Sequence, residues 1–130
     1  MAKTVLLIDD DVDLLRQMAT ALAGSGYRVH VATDGASGLE QFKSVSPDLV
    51  VTDIIMPTRE GIETIMGIKR ERPDARVLAI SGGYRVGPDD FLTLARHIGA
   101  DDVLPKPFRL AQLVAAAARL LHAGPHVSAA

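Results

Sequence analysis

A doubly wound α/β fold, with five parallel strands and five helices, is predicted by three features of this 130-residue chain. Short apolar runs rich in branched residues alternate with longer segments whose apolar residues recur at helical spacing. The strongest runs, Val5-Leu6-Leu7-Ile8 and Leu49-Val50-Val51, lack the polar alternation of a half-solvated strand, so they read as strands covered on both faces. Glycine, proline and acidic residues mark the junctions.

The elements follow in order. Val5-Leu6-Leu7-Ile8 is the first strand and ends in Asp9, Asp10 and Asp11. Leu14, Leu15, Met18 and Leu22 carry the first helix, which Gly24 and Gly26 stop. Residues 27–32 read as a second strand with partial alternation. Residues 35–43 form a short helix anchored by Leu39 and Phe42. Pro47 precedes a third strand over residues 48–52. Ile62, Ile65, Met66 and Lys69 outline the third helix, which ends before Pro73. Residues 76–80 are the fourth strand, and residues 81–88 are a loop by composition. Pro88, Asp89 and Asp90 suit the first turn of a fourth helix, where acids oppose the helix dipole. Phe91, Leu94, Ala95 and Ile98 give that helix its apolar face, and Gly99 ends it. Asp102-Val103-Leu104 is a short fifth strand. Residues 109–121 are the fifth helix, with Leu110, Leu113, Ala117 and Leu120 on one side. Residues 1–123 are expected to form one domain and residues 124–130 a flexible tail.

Composition narrows the function. Hydrophobic residues at 48% and charged residues at 23% are an ordinary globular balance. The absence of cysteine excludes disulfides and zinc–thiolate sites. A net charge of −2, with scattered arginines, lacks the basic footprint of a nucleic-acid binder. No apolar run is long enough to span a bilayer, and the N-terminus carries no signal-peptide pattern. A cytoplasmic protein with neither nucleic-acid nor membrane partners is expected.

Open parallel sheets bind ligands beyond the C-terminal ends of their strands. There the first strand offers Asp9, Asp10 and Asp11, the third Asp53 and the fourth Ser81, while Lys106 follows the fifth. Crowded carboxylates repel unless a cation intervenes. All-oxygen ligands suit Mg²⁺, with Mn²⁺ also acceptable. With Lys106 and Ser81, such a metal could hold the equatorial oxygens of a transferring phosphoryl group. Asp53 would be the nucleophile. Acids after a strand also serve as helix N-caps, and Asp11 and Asp13 are assigned to that duty. A lone aspartate in a turn, or a lone lysine, would ordinarily carry no chemistry; the convergence of four strand ends favours the site. The alternate acids Asp9, Asp11 and Asp13 do not make a calcium loop, because Leu14 and Thr20 stand where glycine and glutamate are required.

The ordered set Leu6-Leu7-Ile8-Asp9-Asp10, Thr52-Asp53-Ile54-Ile55-Met56-Pro57, Ile80-Ser81-Gly82 and Leu104-Pro105-Lys106-Pro107-Phe108 resembles the receiver domain of two-component response regulators, over residues 5–121. The resemblance implies a flavodoxin-like fold with strand order 2-1-3-4-5, in a stand-alone single-domain regulator. It implies phosphorylation of Asp53 by a histidine kinase or histidine phosphotransfer protein, with catalysis limited to the chain's own phosphorylation and dephosphorylation. By the same resemblance Asp10, Asp53 and the Ile55 carbonyl ligate the metal directly, Asp9 acts through a bound water, and Ser81 and Lys106 meet the phosphoryl group. The Lys106–Pro107 bond is expected to be cis. Output is expected to reach a separate downstream protein through the fourth helix, fifth strand and fifth helix, with a phosphorylation-dependent homodimer as a further outcome. A phosphate-relay intermediate without output is the alternative within this class.

Three positions depart from the pattern. Val103 stands where the family often has tyrosine or phenylalanine, so the glycine-rich residues 82–88 become the expected moving part. Ile55 and Gly83 bring no polar side chain to the incoming water, which implies slow loss of phosphate. Outside this class, an aspartate phosphatase would use Asp9 and Asp11 but needs a cap domain that 130 residues cannot hold. A flavin module would need a phosphate-binding loop where this chain has acids.

Overall fold

The computed structural model describes residues 2–54, 60–81 and 97–122. Five parallel strands form one sheet in the order β2-β1-β3-β4-β5. They are β1 (Thr4–Ile8), β2 (Arg28–Ala32), β3 (Leu49–Asp53), β4 (Val77–Ser81) and β5 (Asp102–Pro105). The helices are α1 (Val12–Gly24), α2 (Gly35–Val45), α3 (Glu60–Glu71) and, last in the chain, α4 (Leu110–Leu121). The described residues thus contain four helices rather than the five expected. The helix predicted after Pro88 lies outside them, apart from the helical residues His97 and Ile98. Residues 82–88 and the predicted tail also lie outside.

Side-chain alternation along the strands splits the core into two layers. Val5, Leu7, Val51, Leu78 and Ile80 pack with Met18 and Leu22 of α1 and with Leu113 and Ala117 of α4. Leu6, Ile8, Val50, Val77 and Ala79 pack on the other face with Phe42 of α2 and with Ile65 and Ile68 of α3. Both faces of β1 and β3 are therefore dry, which is why their sequences are continuous apolar runs. Edge strand β2 is mostly exposed, which explains its weaker pattern.

Capping sets where the helices begin. Asp11 caps α1 by accepting the Leu14 N–H at 3.1 Å, and Asp34 caps α2 by accepting the Ser37 N–H at 2.7 Å. Gln112 reaches back to accept the Arg109 N–H at 2.7 Å at the start of α4. Helix α1 continues through Gly24, and the reversal into β2 uses Gly26 at φ +96°. At the opposite pole from the strand ends that carry the acids, Asp101 accepts the Val77 N–H at 2.7 Å and pairs with Lys69 at 3.1 Å. That pair fixes the entry into β5 against α3 and β4.

Candidate functional site

The C-terminal ends of β1 and β3 lie side by side, with Ile8 and Thr52 in register. Asp9 follows Ile8 and Asp53 follows Thr52, so the two acids emerge together at one rim. Asp9 is 0% exposed and Asp53 4%, whereas Asp10 is exposed. Ligand oxygens from Asp9, Asp10 and Asp53 all lie within 4.8 Å of one another. Of the residues predicted for the metal, these three are brought together. Ile55, the fourth, lies outside the described residues.

Lys106 completes the cluster from β5. Its ammonium reaches past β4 to donate to Asp53 Oδ2 at 3.0 Å and to Asp9 Oδ2 at 3.2 Å. The side chain is 26% exposed, so the two ion pairs are only partly screened by water. The Lys106–Pro107 peptide is cis, the isomer expected from the resemblance. Ser81 ends β4 and stands in register with Pro105, one residue before Lys106.

Asp9 is held at both oxygens. The Asp11 N–H donates to Oδ1 at 2.9 Å, and Lys106 occupies Oδ2. Asp11 thereby serves twice, since its own carboxylate caps α1. That use turns the Asp11 side chain to the helix, which argues against an Asp9–Asp11 catalytic pair. Asp11 is the cap that its place after β1 implies, while its backbone bond to Asp9 has only one signal in the sequence, a tight turn into a capped helix.

Electrostatics favour an added cation. Burial raises the Asp9 pKa above its usual 3.8, and the neighbouring Asp53 charge pushes the same way, against the Asp11 N–H and Lys106. Burial alone would lower the Lys106 pKa, but the hydrogen bond and charge of Asp53, then those of Asp9, outweigh it and raise it above 10.5. Three carboxylates against one ammonium leave two negative charges in a largely dry rim. An oxygen-only donor set of this charge fits Mg²⁺ or Mn²⁺.

The direction of the Asp9 shift gives a pH dependence. A carboxyl whose pKa is raised on folding is more easily ionised in the unfolded chain, so its ionisation costs native stability. Without divalent cation, that cost should be absent well below pH 3.8 and should grow as pH rises through the raised Asp9 value. Asp9→Asn should remove this component. Urea unfolding of both proteins in EDTA, from below pH 3.8 upward, should show the variant gaining on the wild type as pH rises. An unchanging difference would contradict the assignment.

The family model described as the response regulator receiver domain matches residues 5–118. Transcriptional regulatory protein PrrA of Mycobacterium leprae is 38% identical over 117 residues, covering 90% of this chain and 49% of PrrA. The chain spans about half the length of the curated relatives it matches. A response regulator receiver domain from Clostridium thermocellum is similar at a TM-score of 0.81 and 30% identity, covering 92% of this chain and 94% of that one. A CheY-like receiver domain protein from Methanospirillum hungatei gives 0.83 at 25% identity, covering 93% and 94%. No helix among the described residues is long and apolar enough to cross a membrane.

Proposed function

Because this chain belongs to the response regulator receiver domain family, we propose that it is a phospho-acceptor switch in which Asp53 takes a phosphoryl group and thereby changes partner binding. The donor is a histidine kinase or a histidine phosphotransfer protein. The observation that carries this reading is the Lys106 ammonium bridging Asp53 and Asp9 across three strand ends. A solvated lysine would not cross β4 to sit between two buried carboxylates.

The transfer is a displacement at phosphorus. An Asp53 carboxylate oxygen attacks, an O–P bond forms, and the P–N bond to the donor imidazole breaks. The imidazole leaves with the electron pair and takes a proton, and Asp53 becomes an acyl phosphate. Lys106, already 3.0 Å from Asp53, supplies positive charge to the phosphoryl oxygens. The Ser81 hydroxyl would be a further donor, a role taken from the family pattern. Asp10 and Asp53 would hold Mg²⁺ directly, with the Ile55 carbonyl taken from the family pattern. Asp9, whose oxygens are engaged by Asp11 and Lys106, would act through water. When bound, Mg²⁺ neutralises the acids and stabilises charge on the transferring group.

The chain catalyses only its own phosphorylation and dephosphorylation, and its output is a phosphorylation-dependent change in binding to a downstream effector or to a second copy of itself. The test is incubation with Mg²⁺ and acetyl phosphate or phosphoramidate, followed by intact mass measurement. One added phosphoryl group is expected, lost when EDTA replaces Mg²⁺. Multiple turnover of simple phosphate esters would instead indicate a phosphatase.

A further inference from the structure

Helix α2 carries a glycine at an interior position, where glycine costs about 1 kcal/mol relative to alanine. That residue, Gly38, faces β1. A Cβ built on it would lie 2.4 Å from Ile8 Cδ1, 2.8 Å from Ile8 Cγ1 and 3.3 Å from Ile8 Cγ2. Ile8 is fully buried and flanked in register by Ala32 of β2 and Thr52 of β3. The side chain has little room to turn aside. Helix α2 is itself closely approached by α3, where a Cβ on Gly67 would lie 3.0 Å from Leu39 Cδ2.

Ile8 and Thr52 adjoin the site along the chain. Each immediately precedes one of the acids, Asp9 and Asp53, and they are partners across the β1–β3 ladder. Pressure on Ile8 is therefore passed along the β1 backbone to the next residue, Asp9, whose side chain leaves the opposite face by strand alternation. We infer that Gly38 is a positioning residue for the acidic cluster: its missing side chain lets Ile8 fit under α2 and so sets Asp9 relative to Asp53. This rests on the reading of Asp9, Asp10 and Asp53 as a divalent-cation site.

Four proteins test it: wild type, Gly38→Ala, Ile8→Val, and the double variant. Ile8→Val deletes Cδ1, the atom nearest the added methyl. Mg²⁺ affinity is read by calorimetry or amide-shift titration, and stability by urea unfolding in EDTA. Gly38→Ala should weaken Mg²⁺ binding about tenfold, the scale on which supporting contacts act on metal sites. Ile8→Val alone should bind Mg²⁺ like wild type, and the double variant should recover part of the lost affinity, because the nearest clash is gone while Cγ1 at 2.8 Å remains. A Gly38→Ala protein that is less stable in EDTA but binds Mg²⁺ normally would overturn the inference, leaving Gly38 a packing residue only. If that variant does not fold, Ile8→Leu provides the test, because it conserves volume while moving the branch pressed against α2. Unchanged Mg²⁺ affinity in Ile8→Leu would then overturn it. A wild-type protein without Mg²⁺ affinity would overturn the cation-site reading and this inference together, an outcome distinct from selective failure of the variants.

Discussion

Asp53→Asn is expected to abolish phosphoryl uptake while preserving the fold. The amide keeps the size of the carboxyl and retains an oxygen that can accept from Lys106, so the 3.0 Å contact has a replacement. It lacks the anionic oxygen that attacks phosphorus. Loss of the nucleophile should lower the rate of labelling by on the order of 10³-fold or more. Asp9 and Asp10 remain within 4.8 Å of the same position, so slow residual labelling would fall on them. Peptide mapping separates that outcome from labelling elsewhere. Labelling of Asp53→Asn at the wild-type rate and extent would remove Asp53 from the mechanism.

Lys106→Met should act on stability and on rate through different routes. The methionine keeps much of the apolar stem but removes the charge, leaving Asp9 and Asp53 facing each other in a dry rim. Exposed ion pairs contribute at most about 1 kcal/mol, whereas breaking a buried pair costs roughly 3–5 kcal/mol. A lysine 26% exposed between two buried carboxylates belongs between these limits, so a loss of about 2 kcal/mol is expected in EDTA. Mg²⁺ should narrow that deficit, because without the competing ammonium the variant binds the cation more tightly and so gains more by mass action. Phosphorylation from acetyl phosphate should still slow by on the order of 10²–10³-fold, since the metal does not replace a charge aimed at the phosphoryl oxygens. Equal urea midpoints for variant and wild type in EDTA would show that the bridge contributes nothing to the resting fold.

Residues 5–8 and 49–51 were legible as strands because both faces of β1 and β3 are covered, and burial on both sides leaves no polar position to obscure the run. The rim was legible for a related reason. A charged residue ending such a run must lie at the sheet's edge, and Asp9, Asp53 and Lys106 all obey that rule. What composition and spacing alone could not give was the difference in burial between neighbours. Asp9 and Asp10 are adjacent and chemically identical, yet one is fully buried and the other exposed. That difference comes from the turn made by Asp11, and from a lysine 97 positions away. The fit of Gly38 against Ile8 was equally hidden, because glycine in a helix reads as a local weakness until the opposing surface is known. Asp34 does not stand out in the sequence as the α2 cap, because Thr33 and Ser37 beside it are equally good cap residues.

The span of the Lys106 bridge also ties the acidic cluster to the completeness of the sheet. Its two acids belong to the first and third strands, but its cation arrives only when β5 has docked beyond β4. Closing so long a loop is among the most entropically demanding contacts in the domain. A partly assembled sheet can gather Asp9 and Asp53 at its rim, and there they repel with nothing from the chain to oppose them. Docking of β5 relieves that repulsion. The cluster is therefore complete only when β5 is on the sheet: β1 and β3 alone would hold the proposed acceptor without the charge that balances it.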